Sequence, residues 1–256
     1  MLFDDDALDF LELHASKADP KASSHWREMH SAFSAKNRVL SGLNGFGSIG
    51  RRNLLFNFAH SLFQLPYRKM ARDLPRFDEI EQIAKKLAKM HHRAYNFDFI
   101  RQSLVLAWLY SKSEALAPGK TLVVIGDGFA TLASLALMVE PKLKIVLVNL
   151  TKTLLVDALY LRKAFPDKRI ALLQPGALKD GSEEQISLVQ AIDADLLRSI
   201  PIDLAVNIGS FQEMDMAVIQ DYFSILRESK PLLYTCNRIQ KKLPDGSVIR
   251  FHEYPW

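Results

Sequence analysis

A single cysteine, Cys236, stands in a chain of 256 residues. A lone thiol excludes an internal disulfide and cannot build a thiolate metal site, so a reduced setting is expected. Long apolar runs are also missing, and none reaches the length that crosses a bilayer. The opening Met1-Leu2-Phe3-Asp4-Asp5-Asp6 is acidic, whereas a secretory signal opens basic and turns apolar. A cytoplasmic protein is expected. Charge of one sign is not in large excess: 33 basic against 29 acidic residues leave a net +4, which attracts anions weakly and does not call for nucleic acid. Asp127, Asp215 and Asp221 are scattered rather than set at ligand spacing, so no metal is predicted. No repeat or low-complexity segment is present. What remains is an ordinary balance, 48% hydrophobic and 24% charged, in a length that buries a sizeable core.

The two parts of the chain differ in texture. Apolar spacing predicts helices over 2–15, 24–35, 54–65, 77–93 and 98–116. In the fourth of these Ile80, Ile83, Ala84 and Leu87 form the stripe, with Asp78 and Glu79 early, where the helix dipole favours them. The cations from Lys85 to Arg93 read as a solvated face. From Lys120 onward, strand-like runs at 122–125, 145–148, 170–173, 204–208 and 232–235 alternate with helices near 131–140, 154–165, 183–198 and 214–228. That alternation predicts an α/β fold: a Rossmann-like, mostly parallel sheet with helices on both faces. The boundary at Pro118-Gly119 divides a helical N-terminal or cap region, 1–117, from the sheet domain, 118–256. Pro244-Asp245-Gly246 predicts a hairpin joining 239–243 to 247–251.

In such a sheet a ligand binds at the carboxyl ends of the strands. The first strand delivers Gly126-Asp127-Gly128, a glycine-flanked turn that opens a helix and lets backbone approach a nucleotide-like cofactor. No third glycine follows, since Ala130 stands there. The second strand ends at Asn149-Leu150, where a ribose is held. The third delivers Gln174-Pro175-Gly176, placed to line an adenine. The fourth delivers Asn207-Ile208-Gly209-Ser210-Phe211-Gln212-Glu213-Met214, a polar cluster compatible with both catalysis and a capping box from Ser210 to Glu213. Gly45-Phe46-Gly47-Ser48-Ile49-Gly50 matches the dinucleotide fingerprint by letter. It lacks a preceding buried strand and a downstream acid, so it reads as a loop.

The run Asn207–Met214 resembles the signature of the sugar O-methyltransferase family. Asn237-Arg238, Pro244-Asp245-Gly246 and Phe251-His252-Glu253-Tyr254-Pro255-Trp256 are similar to that family's tail, so the likeness covers about 77–256. It implies a class I methyltransferase dependent on S-adenosyl-L-methionine, acting on a sugar hydroxyl of a glycan or glycosylated metabolite, as in polysaccharide biosynthesis. It also implies that Gly126, Asp127, Gly128, Asn149, Leu150, Gln174 and Asn207 bind the cofactor. Glu213 and His252 become the candidate general bases. Gln212, Arg250 and Glu253 would orient the acceptor, although Arg250 and Glu253 read equally well as an ion pair. Four positions depart from the family: Val124 replaces an acid, Asp127 and Ala130 replace glycines, and Asn149 replaces an aspartate. The family's chain is expected to run past Trp256, leaving either a sheet without its last strand or a shortened chain. The alternative is a catalytically inactive, methyltransferase-like binding or assembly protein. An oxidoreductase using NAD is weaker, for want of an acidic ribose ligand and a Tyr/Lys pair. The acceptor's identity and the oligomeric state are not legible.

Overall fold

The computed structural model describes residues 1–44, 62–176 and 184–256. The Gly45–Gly50 loop and most of the helix expected over 54–65 lie outside them. At the centre stands β4 (Thr121–Ile125), every residue of it buried. Side chains on a strand alternate between faces. Leu122 and Val124 therefore enter one apolar layer with Ala84, Leu87 and Leu106. Val123 and Ile125 enter the opposite layer with Phe211, Ile219 and Leu226. Cover on both faces is what a parallel sheet requires, since its strands have no solvent side.

The chain begins with β1 (Leu2–Phe3), followed by α1 (Asp4–His14) and α2 (Ser24–Met29). An exposed hairpin, β2 (Ser34–Lys36) and β3 (Val39–Ser41), comes next. Then come α3 (Leu65–Ala71), α4 (Phe77–Met90) and α5 (Phe97–Lys112), the last capped by Asn96, whose side chain accepts from the backbone of Asp98 and Phe99. Leu8 and Leu11 of α1, Ile80 of α4 and Leu106 of α5 are buried in the same core as β4, so these three helices pack directly on the sheet.

Beyond β4 follow α6 (Thr131–Val139), β5 (Lys144–Asn149), α7 (Thr151–Ala164), β6 (Ile170–Leu172) and β7 (Ile186–Gln190). After them come β8 (Leu204–Ile208), α8 (Met216–Ser229), β9 (Leu232–Cys236) and the hairpin of β10 (Gln240–Lys242) and β11 (Val248–Arg250). The sheet runs β1-β6-β7-β5-β4-β8-β9, parallel except for β1, which pairs antiparallel with β6. The α/β expectation, with a mostly parallel sheet flanked by helices, agrees with this architecture.

Two local expectations do not. The helix expected over 183–198 is instead β7 followed by a 3-10 segment, Ala191–Ser199. Ile186, Leu188 and Val189 are all buried, because β7 sits inside the sheet, and a fully buried strand imitates a helix segment in its apolar pattern. As a result β7, not β6, pairs with β5. The third strand end at the cleft is therefore Gln190-Ala191 rather than Gln174-Pro175-Gly176. The solvated face read over Lys85–Arg93 also ends early. The helix stops at Met90, and both His91 and Arg93 turn inward, 6% and 5% exposed.

Candidate functional site

The turn after β4 is built by three left-handed residues, Gly126 (φ +76), Gly128 (φ +92) and Ala130 (φ +47). The space that Gly126 leaves is already filled. A Cβ there would meet Ser210 Oγ at 2.3 Å. Ser210 follows β8 and donates to the Ile125 carbonyl at 2.9 Å. The buried Asn207 amide donates to the same carbonyl at 3.0 Å and to Ser210 Oγ at 2.5 Å. Gly126 thus lets two strand ends knit together. It was expected to let a ligand approach.

Asp127 is committed as well. Its carboxylate accepts from the backbone N–H of Thr131 (3.0 Å), Leu132 (3.1 Å) and Ala133 (2.9 Å), the free donors that open α6. Burial pushes its pKa up to about 6, although those three donors and Arg93 pull the other way. From α7 comes a second buried carboxylate, Asp157, which accepts from Ala130 N–H at 2.7 Å and from Asn149 Nδ2 at 2.9 Å. Burial, and then the Asp127 charge, raise the Asp157 pKa well above the usual carboxylate range. Asn149 Oδ1 accepts its neighbour's N–H, from Leu150, at 3.0 Å. An asparagine at this position is intelligible beside Asp157, since an aspartate would add a third carboxylate to a buried pair whose charging burial already disfavours.

A cavity of about 250 Å³ opens where β4, β5, β7 and β8 end. Gly126, Asp127, Gly128, Asn149 and Leu150 line it, as do Gln212 and Glu213. One wall is apolar: Leu150 and Ala191 pack with Ala22 and the indole of Trp26, which the N-terminal segment carries over the strand ends. A second wall comes from the helical layer, through Arg93, Asp98, Arg101 and Gln102. The Arg93 guanidinium stacks 3.8 Å above the Phe129 ring and donates to Thr131 Oγ1 at 3.2 Å.

The cluster after β8 is a 3-10 turn, Phe211–Glu213, with no side-chain cap, and α8 begins only at Met216. The capping box is absent because Ser210 is engaged with β4. Gln212 Oε1 accepts from Arg238 N–H at 2.7 Å, and its own N–H donates to Asn237 Oδ1 at 3.2 Å. The Glu213 carboxylate holds Lys241 Nζ of β10 at 2.5 Å and has His25 Nε2 at 3.7 Å. Burial lowers the His25 pKa; Glu213 opposes that and Lys241 adds to it. His25 is therefore neutral at pH 7.

The remaining expected residues are not brought together with these. Asn207 is wholly buried in the strand-end network and does not line the cavity. Gln174 follows β6, beyond β7. Arg250 and Glu253 form a surface ion pair at 3.1 Å, and the His252 side chain is 72% exposed beside them. Among the described residues no cluster of His, Cys, Asp or Glu could hold a metal ion, and no helix is long and apolar enough to cross a membrane.

Arg93, Trp26, His25 and Asp157 escape a reading by motif. Asp157 carries a detectable signal, a single carboxylate within Leu154-Leu155-Val156-Asp157-Ala158, where an unpaired charge would be costly. Arg93 and Trp26 carry none, because only tertiary packing aims them at the strand ends. No protein-family model matches the chain, and no curated protein matches it.

Proposed function

We infer that this chain binds S-adenosyl-L-methionine and transfers its methyl group to a hydroxyl of a sugar or glycan. The observation that carries the reading is the Asp127 carboxylate on the N-terminus of α6. In a dinucleotide-binding turn those N–H groups receive pyrophosphate. Here they are taken by a carboxylate of the protein itself. A cleft at strand ends whose helix N–H groups are closed to a pyrophosphate fits an adenosyl sulfonium better than a dinucleotide. The resemblance of Asn207–Met214 to the sugar O-methyltransferases supports the same choice.

The residues present fit that cofactor in part. Leu150, Ala191 and Trp26 offer an apolar slot for adenine, and Asn149 retains acceptor capacity towards a ribose hydroxyl. The cofactor, when bound, supplies a methyl group on a positively charged sulfur. The protein's share is to hold the acceptor oxygen in line and to receive its proton. Glu213 lines the cavity, and neutral His25, 3.7 Å from it, is the histidine placed to share that proton. His25 takes the role that His252 was expected to fill.

A second reading is a binding protein without turnover. It is favoured by Lys241, whose Nζ lies 2.5 Å from the Glu213 carboxylate and engages it within the protein. Calorimetry with S-adenosylmethionine and S-adenosylhomocysteine, with NAD and ADP as phosphate-bearing controls, tests the reading. Heat from the first pair alone is expected. Silence from both at millimolar concentration refutes it. Binding without release of S-adenosylhomocysteine from any sugar acceptor selects the second reading.

A further inference from the structure

The helical wall of the cavity holds two polar groups that the protein leaves unanswered. Arg93 is 5% exposed, yet of its five donors only Nη1 has a hydrogen bond, to Thr131, and its buried Nε has no partner. Among the described residues no carboxylate lies within ion-pair distance of it. Gln102, on α5, is 6% exposed, lines the same cavity, and its buried Oε1 is likewise without a donor. Asp98 and Asp127 act on the Arg93 charge from beyond hydrogen-bond reach, so its Nε still lacks an acceptor, and buried polar atoms are nearly always hydrogen-bonded. One vacant donor set and one vacant acceptor share a wall. A phosphate or simple carboxylate would answer Arg93 and leave Gln102 empty. A sugar hydroxyl would answer Gln102 and leave Arg93 without an anionic acceptor in hydrogen-bond reach. A zwitterion answers both.

We propose that Arg93 and Gln102 form the subsite for an α-amino-acid head group, Arg93 receiving the carboxylate and Gln102 Oε1 the ammonium. The proposal rests on the adenosyl-cofactor reading and assigns that cofactor's methionine end to the helical layer. It also accounts for Val124, which lines the cavity where the family carries an acid. The strand offers the ammonium no carboxylate, and Gln102 stands in from the helix, with Asp98 on the same wall adding negative potential.

The test separates the head group from the nucleoside. Calorimetry compares S-adenosylhomocysteine with 5′-methylthioadenosine, which shares the adenosine and thioether but has no amino-acid end. For the wild-type protein the first should bind at least about tenfold tighter, the worth of charge-assisted hydrogen bonds. Arg93→Met should lose about ten- to a hundredfold for S-adenosylhomocysteine. It should leave 5′-methylthioadenosine unchanged, and Arg93→Lys should recover part of the loss. Gln102→Leu should show the same selective loss, and it decides the matter alone if Arg93→Met does not fold. Equal affinity of the wild-type protein for the two ligands, or variants that weaken both alike, overturns the subsite while the cofactor reading stands. Binding of neither ligand overturns both.

Discussion

Replacing Gly126 by alanine measures what the glycine turn is for. The new methyl meets Ser210 Oγ at 2.3 Å and Ser210 Cβ at 2.4 Å, far inside van der Waals contact. The backbone at φ +76 adds its own cost. Left-handed backbone costs a non-glycine residue roughly 1–2 kcal/mol, and overpacking a close-packed site roughly 1–3 kcal/mol more. Gly126→Ala should therefore destabilise the protein by about 2–5 kcal/mol with no ligand present. Ser210→Gly removes the colliding atoms along with two hydrogen bonds, one donated to Ile125 and one accepted from Asn207, each worth about 1 kcal/mol, and loosens the backbone by a similar amount. In the double variant the strain persists and the collision does not. The pair should be less destabilised than the two single costs predict, by about 1–3 kcal/mol. Urea unfolding of all four proteins, read at constant m-value, supplies the cycle. If Gly126 were small only to admit a ligand, the costs would add within about 0.5 kcal/mol, and that result would refute the packing role. The cycle also bears on any bulky replacement at Gly126. Such a variant loses binding by losing the fold, so it cannot report on cofactor contact.

Two further outcomes are expected. His91 is buried against Tyr160, and burial followed by the Arg93 charge lowers its pKa to about 4. Its folded pKa lies below its unfolded value of about 6.5, so its stabilising share is complete above about pH 6.5 and is lost as pH falls towards 4, by about 2 kcal/mol at pH 5. In urea titrations His91→Phe, which keeps the ring and discards the titration, should lose about 2 kcal/mol less than the wild-type protein between pH 7 and 5; parallel losses would refute the assignment. Trp26→Leu should weaken S-adenosylhomocysteine and 5′-methylthioadenosine alike, by about tenfold, as loss of base stacking requires. Calorimetry that finds either ligand unaffected would remove Trp26 from the adenine slot.

Much of the fold could be read in advance because it rests on local rules. The β-branched run Thr121–Ile125, the stripe of Ile80, Ala84 and Leu87, and the breakers between elements each act through neighbours in the chain. β7 escapes the pattern because burial on both faces erases the alternation that marks a strand, and that one error put Gln174 rather than Ala191 at the third strand end of the cleft. The site was legible only along the strand ends. Gly126, Asp127, Asn149 and Glu213 were located by their place after strands, but their partners were not, since Ser210, Asp157 and Lys241 reach them from 84, 8 and 28 positions away. Arg93 was visible as a charge and misassigned to solvent. Helical spacing stops at Met90, and nothing in the residues that follow says which way the chain turns.

These partnerships divide the cavity into two kinds of surface. At the strand ends nearly every polar group is already matched within the protein: Asp127 with the N–H groups of α6, Asp157 with Asn149 and Ala130, and Asn207 and Ser210 with Ile125. A matched group gains little from a ligand, because a new hydrogen bond must displace an old one. The unmatched groups lie on the helical wall, at Arg93 and Gln102. There a ligand removes a standing penalty and gains the full difference. Changes in the glycine turn should therefore register first in stability, and changes in the helical layer first in affinity. That ordering reverses the usual expectation for a strand-end glycine turn, and it follows from where the unsatisfied atoms are.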